Sequence, residues 1–182
     1  MRLALTLIMF AATTQFPSGI SQADEKPNFS GTWKVAADLP AKPRRSGPRL
    51  AGLGSGWGVR FTISQTPELL EVERDLRLDM QPKIIFRYSL TGDQRTNTLL
   101  IGHGTHSEVS TARWEGNELM ITTIQSVRHQ ESGENIRYEV KHVLSLEPPQ
   151  ADAISPVLVI ETTRDGVLGG AASNTRTVFH KE

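Results

Sequence analysis

Residues Asn135 to Glu147 carry the sequence NIRYEVKHVLSLE, the clearest alternation of apolar and polar side chains in the chain. One face of this segment holds Ile136, Tyr138, Val140, His142, Leu144 and Leu146. The other face holds Arg137, Glu139, Lys141, Ser145 and Glu147, with Val143 as its one apolar member. Successive side chains of a strand point to opposite faces, so this period of two predicts a β-strand with one buried and one solvated face.

The same alternation recurs from Phe29 onward, interrupted by Gly, Pro, Asn and Asp, and no segment shows a helical period. We therefore predict an all-β domain of about ten strands, at residues 29–35, 58–66, 69–78, 84–90, 96–101, 106–114, 118–127, 135–147, 157–163 and 174–181. Short strands joined by tight turns favour a single antiparallel up-and-down meander. Closing it into a barrel, with the first and last strands hydrogen-bonded, removes the exposed sheet edges. A two-sheet sandwich is the alternative.

The N-terminal segment has the features of a cleavable signal peptide. Arg2 supplies a positive charge, residues 3–12 are apolar apart from Thr6, and Ser21-Gln22-Ala23 forms a small-x-small cleavage site. An apolar run of about ten residues is half the length that a membrane span requires. We expect a signal peptide at residues 1–23, one domain at residues 24–182, no transmembrane segment, and a periplasmic or secreted protein.

The composition limits the partners and the chemistry. The chain of 182 residues has 20 Lys and Arg, 20 Asp and Glu, and no cysteine. A balanced charge provides no general attraction to nucleic acid or to an anionic membrane. Without cysteine, neither a disulfide nor a thiol nucleophile can form, so the core and the strand ladders must stabilise the fold.

Residues 36–57 are the exception to the tight turns. Three prolines and four glycines make regular structure unlikely there, and Lys42, Arg44, Arg45 and Arg49 stand against Asp38 as the one acid. The segment is interpreted either as a solvated surface loop or as a basic flap over a cavity mouth that attracts anionic head groups.

Both ends of the mature chain resemble the calycin superfamily, the lipocalins and fatty-acid-binding proteins. The opening Phe29-Ser30-Gly31-Thr32-Trp33-Lys34 contains the Gly-x-Trp of the first calycin strand, and the basic-aromatic residues 175–181 are similar to the last strand of fatty-acid-binding proteins. The resemblance implies that Trp33 plugs one end of a barrel and that Arg176 or Lys181 lies across it. A basic stem over an indole face adds cation–π attraction.

The chain also looks like a group of small exported bacterial proteins of no established activity, through the same opening and the hairpin Trp114-Glu115-Gly116-Asn117-Glu118-Leu119. It departs from the Arg-x-Tyr that fatty-acid-binding proteins carry on the last strand, because Val178 occupies the Tyr position. Arg176 and Phe179 are three residues apart and cannot both face the cavity of a regular strand. This departure places the carboxylate-binding role of Arg176 in doubt.

Arg74 falls on the apolar face of its strand, between Val72 and Leu76. A buried guanidinium needs a partner or water, so two interpretations remain. The strand ends or bulges at Arg74 and turns the residue outward, or Arg74 anchors a carboxylate or phosphate inside the cavity.

Three further polar groups lie on apolar faces: Tyr88, Tyr138 and His142. Each is interpreted either as a packed core residue with satisfied hydrogen bonds or as a polar contact for a ligand. The candidate ligand-binding residues are thus Trp33, Arg74, Tyr88, Tyr138, His142 and Arg176.

Metal and catalytic signatures are weak. His103 and His106 are the one close histidine pair, but their spacing places them on opposite faces of a strand and no third ligand is evident, so we predict no metal site. No nucleophile elbow, metalloprotease motif or phosphate loop occurs, so we predict no catalytic residue and no cofactor.

The sequence therefore predicts an exported barrel that binds a small amphipathic or hydrophobic ligand, such as a lipid or fatty acid. The alternative is a solid-core interaction or inhibitor module that contacts a protein through its loops. A third possibility is an enzyme that uses the cavity for a lyase or isomerase step.

Overall fold

The computed structural model describes residues 25–36, 56–74, 83–101, 104–128, 133, 135–149, 155–165 and 171–182. The expected signal peptide and most of the basic 36–57 segment lie outside these residues, so both remain predictions. In the described ranges, no helix has the length and apolar character needed to cross a membrane.

The described chain is built from ten strands and contains no helix, which confirms the predicted all-β class. The strands are β1 (Gly31–Val35), β2 (Arg60–Gln65), β3 (Leu69–Arg74), β4 (Ile84–Ser89), β5 (Arg95–Ile101), β6 (Gly104–Glu115), β7 (Glu118–Arg128), β8 (Asn135–Glu147), β9 (Val157–Arg164) and β10 (Ser173–Lys181).

Strand β8 shows why the alternating sequence folds in this way. Its bounds are those of the quoted segment, and Val140, His142 and Leu144 are buried while Arg137 and Glu139 are exposed. One face of the strand thus removes its apolar side chains from water, and the other remains hydrated.

All ten strands form one antiparallel sheet in the order β4-β3-β2-β1-β10-β9-β8-β7-β6-β5. Chain neighbours pair throughout except β4 and β5, which confirms the up-and-down meander and excludes the two-sheet sandwich. The first and last strands pair as predicted, with Trp33 opposite Lys181 and Val35 opposite Phe179.

The barrel is nearly closed rather than fully closed. Strands β4 and β5 form no backbone ladder in the described residues, and the side chain of Asn97 bridges the gap instead. Its Oδ1 accepts from Arg87 N at 2.7 Å, and its Nδ2 donates to Arg87 O at 3.2 Å. The side-chain amide of Asn97 replaces the backbone groups of a neighbouring strand. The backbones of β4 and β5 are therefore separated here by the length of this side chain. We call this junction the seam.

Aromatic side chains fill the barrel end at which β1 begins and β10 finishes, which we call the closed end. Trp33 is fully buried and donates from Nε1 to Phe29 O at 2.8 Å. Phe29 stacks on Trp114 with ring centroids 5.8 Å apart. Lys181 Nζ lies 5.8 Å from the centre of the Trp33 ring. Of the two basic residues expected over Trp33, Lys181 occupies that position.

Candidate ligand-binding site

The barrel interior changes from apolar to polar along its axis. At the closed end the inward side chains of β7, β8 and β9 are Leu119, Leu144 and Leu158, all fully buried. Further along the same faces the polar side chains appear. We call the opposite end, where β1 finishes and β2 begins, the polar end. Its inward residues are Asn97, Glu108, Ser110, Thr123, Gln125, Tyr138, His142, Thr162 and Arg164.

Four of these residues form a continuous row across four strands. Asn97 of β5 is opposite Glu108 of β6, Glu108 is opposite Gln125 of β7, and Gln125 is opposite Tyr138 of β8. Gln125 Nε2 donates to Glu108 Oε2 at 2.9 Å. We call these four residues the polar row. Residues directly opposite on neighbouring strands share a face, so the strand register brings the four side chains together.

A second pair of polar groups lies one step closer to the closed end. The hydroxyls of Ser110 and Thr123 are 2.9 Å apart, and both residues are buried. Burying a hydroxyl without a partner is unfavourable, and here each one satisfies the other.

An indole ring occupies the centre of the polar end. Trp57 is 2% exposed, and its ring stacks on His142 with centroids 5.4 Å apart and planes 26° apart. Phe61 meets it edge-on at 5.5 Å, and Tyr88 lies 6.0 Å away. The Trp57 Nε1 donates to the Tyr88 hydroxyl oxygen at 3.2 Å. We call the space bounded by Phe61, Tyr88 and His142 the aromatic slot.

A cavity of about 40 Å³ remains between the aromatic slot and the polar groups. It is lined by Gly56, Trp57, Phe86, Tyr88, Glu108, Thr123, Gln125, Val140, His142 and Arg164. Because one water needs roughly 10–15 Å³ of such space, the cavity has room for only a few water molecules. A larger molecule can enter only if a side chain moves.

Burial governs the protonation of the groups around the cavity. It raises the pKa of Glu108, and the hydrogen bond from Gln125 opposes that rise. Burial also raises the pKa of Tyr88, and the nearby Glu108 carboxyl raises it further. The pKa of Tyr138 is raised by burial and lowered by the Arg164 guanidinium. Burial thus favours the neutral forms, which can both donate and accept hydrogen bonds.

Four of the six predicted site residues lie at the polar end. Tyr88 and His142 line the cavity, and Tyr138 belongs to the polar row. Arg74 is the last described residue of β3 and lies opposite Phe61 on the inner face, so its side chain is directed inward rather than outward. Among the described residues, Arg74 Nε is buried without a hydrogen-bond partner, and burial lowers the pKa of this arginine.

The two remaining predicted residues lie elsewhere. Trp33 belongs to the closed end, where side chains surround it. Arg176 is exposed and pairs with Glu147 on the outer surface, so its proposed place in the cavity is wrong. The reason is the register of β10, in which Thr177 and Phe179 are buried and Arg176 must therefore face outward.

Sequence reasoning missed Trp57, Glu108, Gln125 and Arg164. Glu108 shares its strand face with Ala112 and Trp114, and Gln125 shares its face with Leu119 and Ile121. A polar residue on an otherwise apolar strand face was a usable signal that its side chain points into the barrel. Trp57 gave no such signal, because it precedes its strand.

The predicted histidine pair is described only in part. His103 lies outside the described residues, as does the side chain of His106. In the ranges that are described, no group of three acidic or histidine side chains could hold a metal ion.

No protein-family model, curated protein or solved structure matches this chain.

Proposed function

We propose that this barrel binds a small amphipathic ligand at the polar end of its interior. The observation that carries the proposal is the polar row, of which Glu108 and Gln125 line a cavity that aromatic rings also line. Burying a carboxyl, an amide and several hydroxyls destabilises a fold relative to an apolar filling. A barrel that serves only as a scaffold has no need of them, whereas a binding site needs a few placed polar groups in an apolar enclosure.

The ligand would place its polar part against Glu108 and Gln125 and its apolar part against the rings of the aromatic slot. Arg74, whose buried Nε lies at the same end, is available to an acidic head group. Binding rather than catalysis is assigned to the site. The barrel is compatible with the calycin architecture suggested by the Gly-x-Trp opening, and calycin-like membership forms part of the proposal.

Export forms the other part of the proposal and depends on the signal peptide at residues 1–23. Expression of the full chain in a bacterial host should yield a periplasmic protein whose N-terminus is Asp24. N-terminal sequencing and intact mass measure this directly. An uncleaved cytoplasmic product would contradict the assignment.

Calorimetric titration of the purified protein with decanoate tests ligand binding. We expect saturable one-to-one binding that Gln125→Leu weakens about tenfold or more, since this change removes the amide and leaves Glu108 without its donor. Glu147→Gln on the outer surface is the matched control and should leave the affinity unchanged.

The rival function is a solid-core module that contacts a protein partner. The small free volume of about 40 Å³ favours this alternative. It predicts no saturable binding of amphipathic probes by the wild type. That outcome would overturn the ligand proposal.

A further inference from the structure

The indole ring of Trp57 indicates which kind of ligand the site accepts. It is flat, it stacks on His142 at 5.4 Å, and it meets Phe61 edge-on at 5.5 Å. Its one polar atom donates a hydrogen bond to the Tyr88 oxygen at 3.2 Å. These are the contacts that a protein offers to a bound heteroaromatic molecule, because stacked and edge-on rings add to the burial of apolar area.

The position of Trp57 in the chain allows it to leave. It precedes β2 rather than belonging to a strand. Gly56 and Gly58 flank it with φ values of 75° and 96°, in the region that favours glycine. The inference requires that a change of backbone angles at these two glycines turns the ring out of the aromatic slot.

The free space beside the ring adds a second feature. The cavity of about 40 Å³ is lined by the indole and by Glu108, Thr123 and Gln125, so free volume remains beside the ring. A molecule that replaces the indole can extend one small polar substituent into this space. The site therefore has more volume and more polar groups than the indole of Trp57 uses.

We propose that Trp57 is an internal occupant of the ligand site, and that the ligand which displaces it is a flat heteroaromatic molecule with a hydrogen-bond donor for Tyr88. The inference rests on the proposed function and specifies its ligand class. While Trp57 fills the slot, the ligand can bind only the fraction of molecules in which the slot is open. The apparent affinity for the ligand is reduced by that fraction. Trp57 thus sets the ligand concentration to which the protein responds.

The displacement can be observed by fluorine NMR on the full chain labelled with 5-fluorotryptophan and titrated with indole. The chain has three tryptophans, so three resonances are expected, each assigned by a Trp→Phe variant. The resonance of Trp57 should move saturably toward its solvent-exposed position, while those of Trp33 and Trp114 stay in place. Binding without movement of the Trp57 resonance would overturn the inference.

The hydrogen bond to Tyr88 gives a matched pair of probes. 1-Methylindole has the same ring system but no N–H donor, so the wild type should bind it about three- to tenfold more weakly than indole. In Tyr88→Phe, which keeps the ring and removes the acceptor, this difference should disappear. Equal affinities for the two probes in the wild type would contradict the proposed ligand class.

Two further outcomes separate the inference from the function on which it rests. Indole binding by Trp57→Ala alone, with none by the wild type, would show only an engineered cavity and would overturn the inference. Decanoate binding without indole binding would overturn the inference and leave the proposed function standing. Failure of both probes in the wild type would remove the proposed function itself.

Discussion

Glu108 is the residue whose position is hardest to explain by packing alone. It is 3% exposed, and its described hydrogen-bond partner is the amide of Gln125. Tyr88, His142 and Arg164 face it across the cavity from β4, β8 and β9. A buried carboxyl resists ionisation, so burial raises its pKa.

This gives a prediction for stability against pH. Below about pH 4.5, the ordinary glutamate value, Glu108 is protonated in both the folded and the unfolded chain. Above that value the unfolded chain loses the Glu108 proton more readily than the folded chain does. The stability that the neutral carboxyl contributes therefore decreases with rising pH until the raised pKa of the folded state is reached. In urea unfolding, the stability of the wild type should therefore fall relative to that of Glu108→Gln as the pH rises above about 4.5.

Comparison with the variant cancels the titration of the other groups around the cavity. Glu115→Gln, at the exposed last residue of β6, is the control and should follow the wild type. Parallel curves for the wild type and Glu108→Gln would show that Glu108 ionises normally.

Gly31 is constrained from two sides. Its φ of 144° lies in the region that favours glycine, and a methyl group at this position would overlap Cε of Lys181. We expect Gly31→Ala to lower the free energy of unfolding by about 1–3 kcal/mol, measured by urea denaturation. In a Lys181→Ala background the steric part of the cost should disappear and the backbone part should remain. Full recovery there would mean that backbone strain contributes nothing.

At the level of strands, the seam depends on one side chain. Asn97 satisfies both the N–H and the C=O of Arg87. Asn97→Ala should lower the free energy of unfolding by about 1–3 kcal/mol, because it removes two hydrogen bonds and leaves a backbone N–H without its acceptor. Hydrogen exchange at the Arg87 amide should accelerate together with that loss.

Asn117→Ala in the exposed turn between β6 and β7 is the matched control, and should change neither quantity. Retained protection of the Arg87 amide in Asn97→Ala would mean that backbone pairing, rather than the side chain, closes the seam.

The segment at residues 25–30 acts as a plug for the closed end. Gln65 holds it on both sides, accepting from Phe29 N at 2.8 Å and donating to Pro27 O at 3.0 Å. Phe29 is fully buried against Trp114. Phe29→Ala should lower the free energy of unfolding by about 3–5 kcal/mol, because it leaves a cavity beside two tryptophans.

Denaturant unfolding followed by tryptophan fluorescence measures this loss. Asn28→Ala is the control, since Asn28 is exposed and its described contact is a local bond to Ser30 N. A loss of less than 1 kcal/mol in Phe29→Ala would show that the segment is not required for the closed end.

Over the whole molecule, the polar and apolar halves of the barrel interior make different contributions to stability. The apolar half at the closed end supplies the buried area that stabilises a chain without disulfides. The polar half costs stability and is retained where β1 leads into β2. The residues that stabilise the fold and those of the proposed binding site therefore lie at opposite ends of the same strands.

The candidate site could be predicted only in part. Tyr88, Tyr138 and His142 were found because each interrupts an otherwise apolar face. Glu108 was missed although Ala112 and Trp114 mark its strand face as the inner one, whereas Arg164 was missed because it stands at the end of a strand with polar residues on both faces. Arg176 was a candidate ligand-binding residue through the resemblance, which offered it or Lys181 as the cover of Trp33, and the register of β10 turns it outward.

The sequence by itself determined the strands, their number and their up-and-down antiparallel sequence, because alternation and turn residues act within a few neighbouring positions. The pairing of the first strand with the last, which excludes the sandwich, was decided by the tertiary structure. The tertiary structure alone decided that Asn97 closes the seam, that the polar row assembles across four strands, and that Trp57 occupies the slot. These depend on register and closure, which are set by all ten strands at once rather than by any local segment.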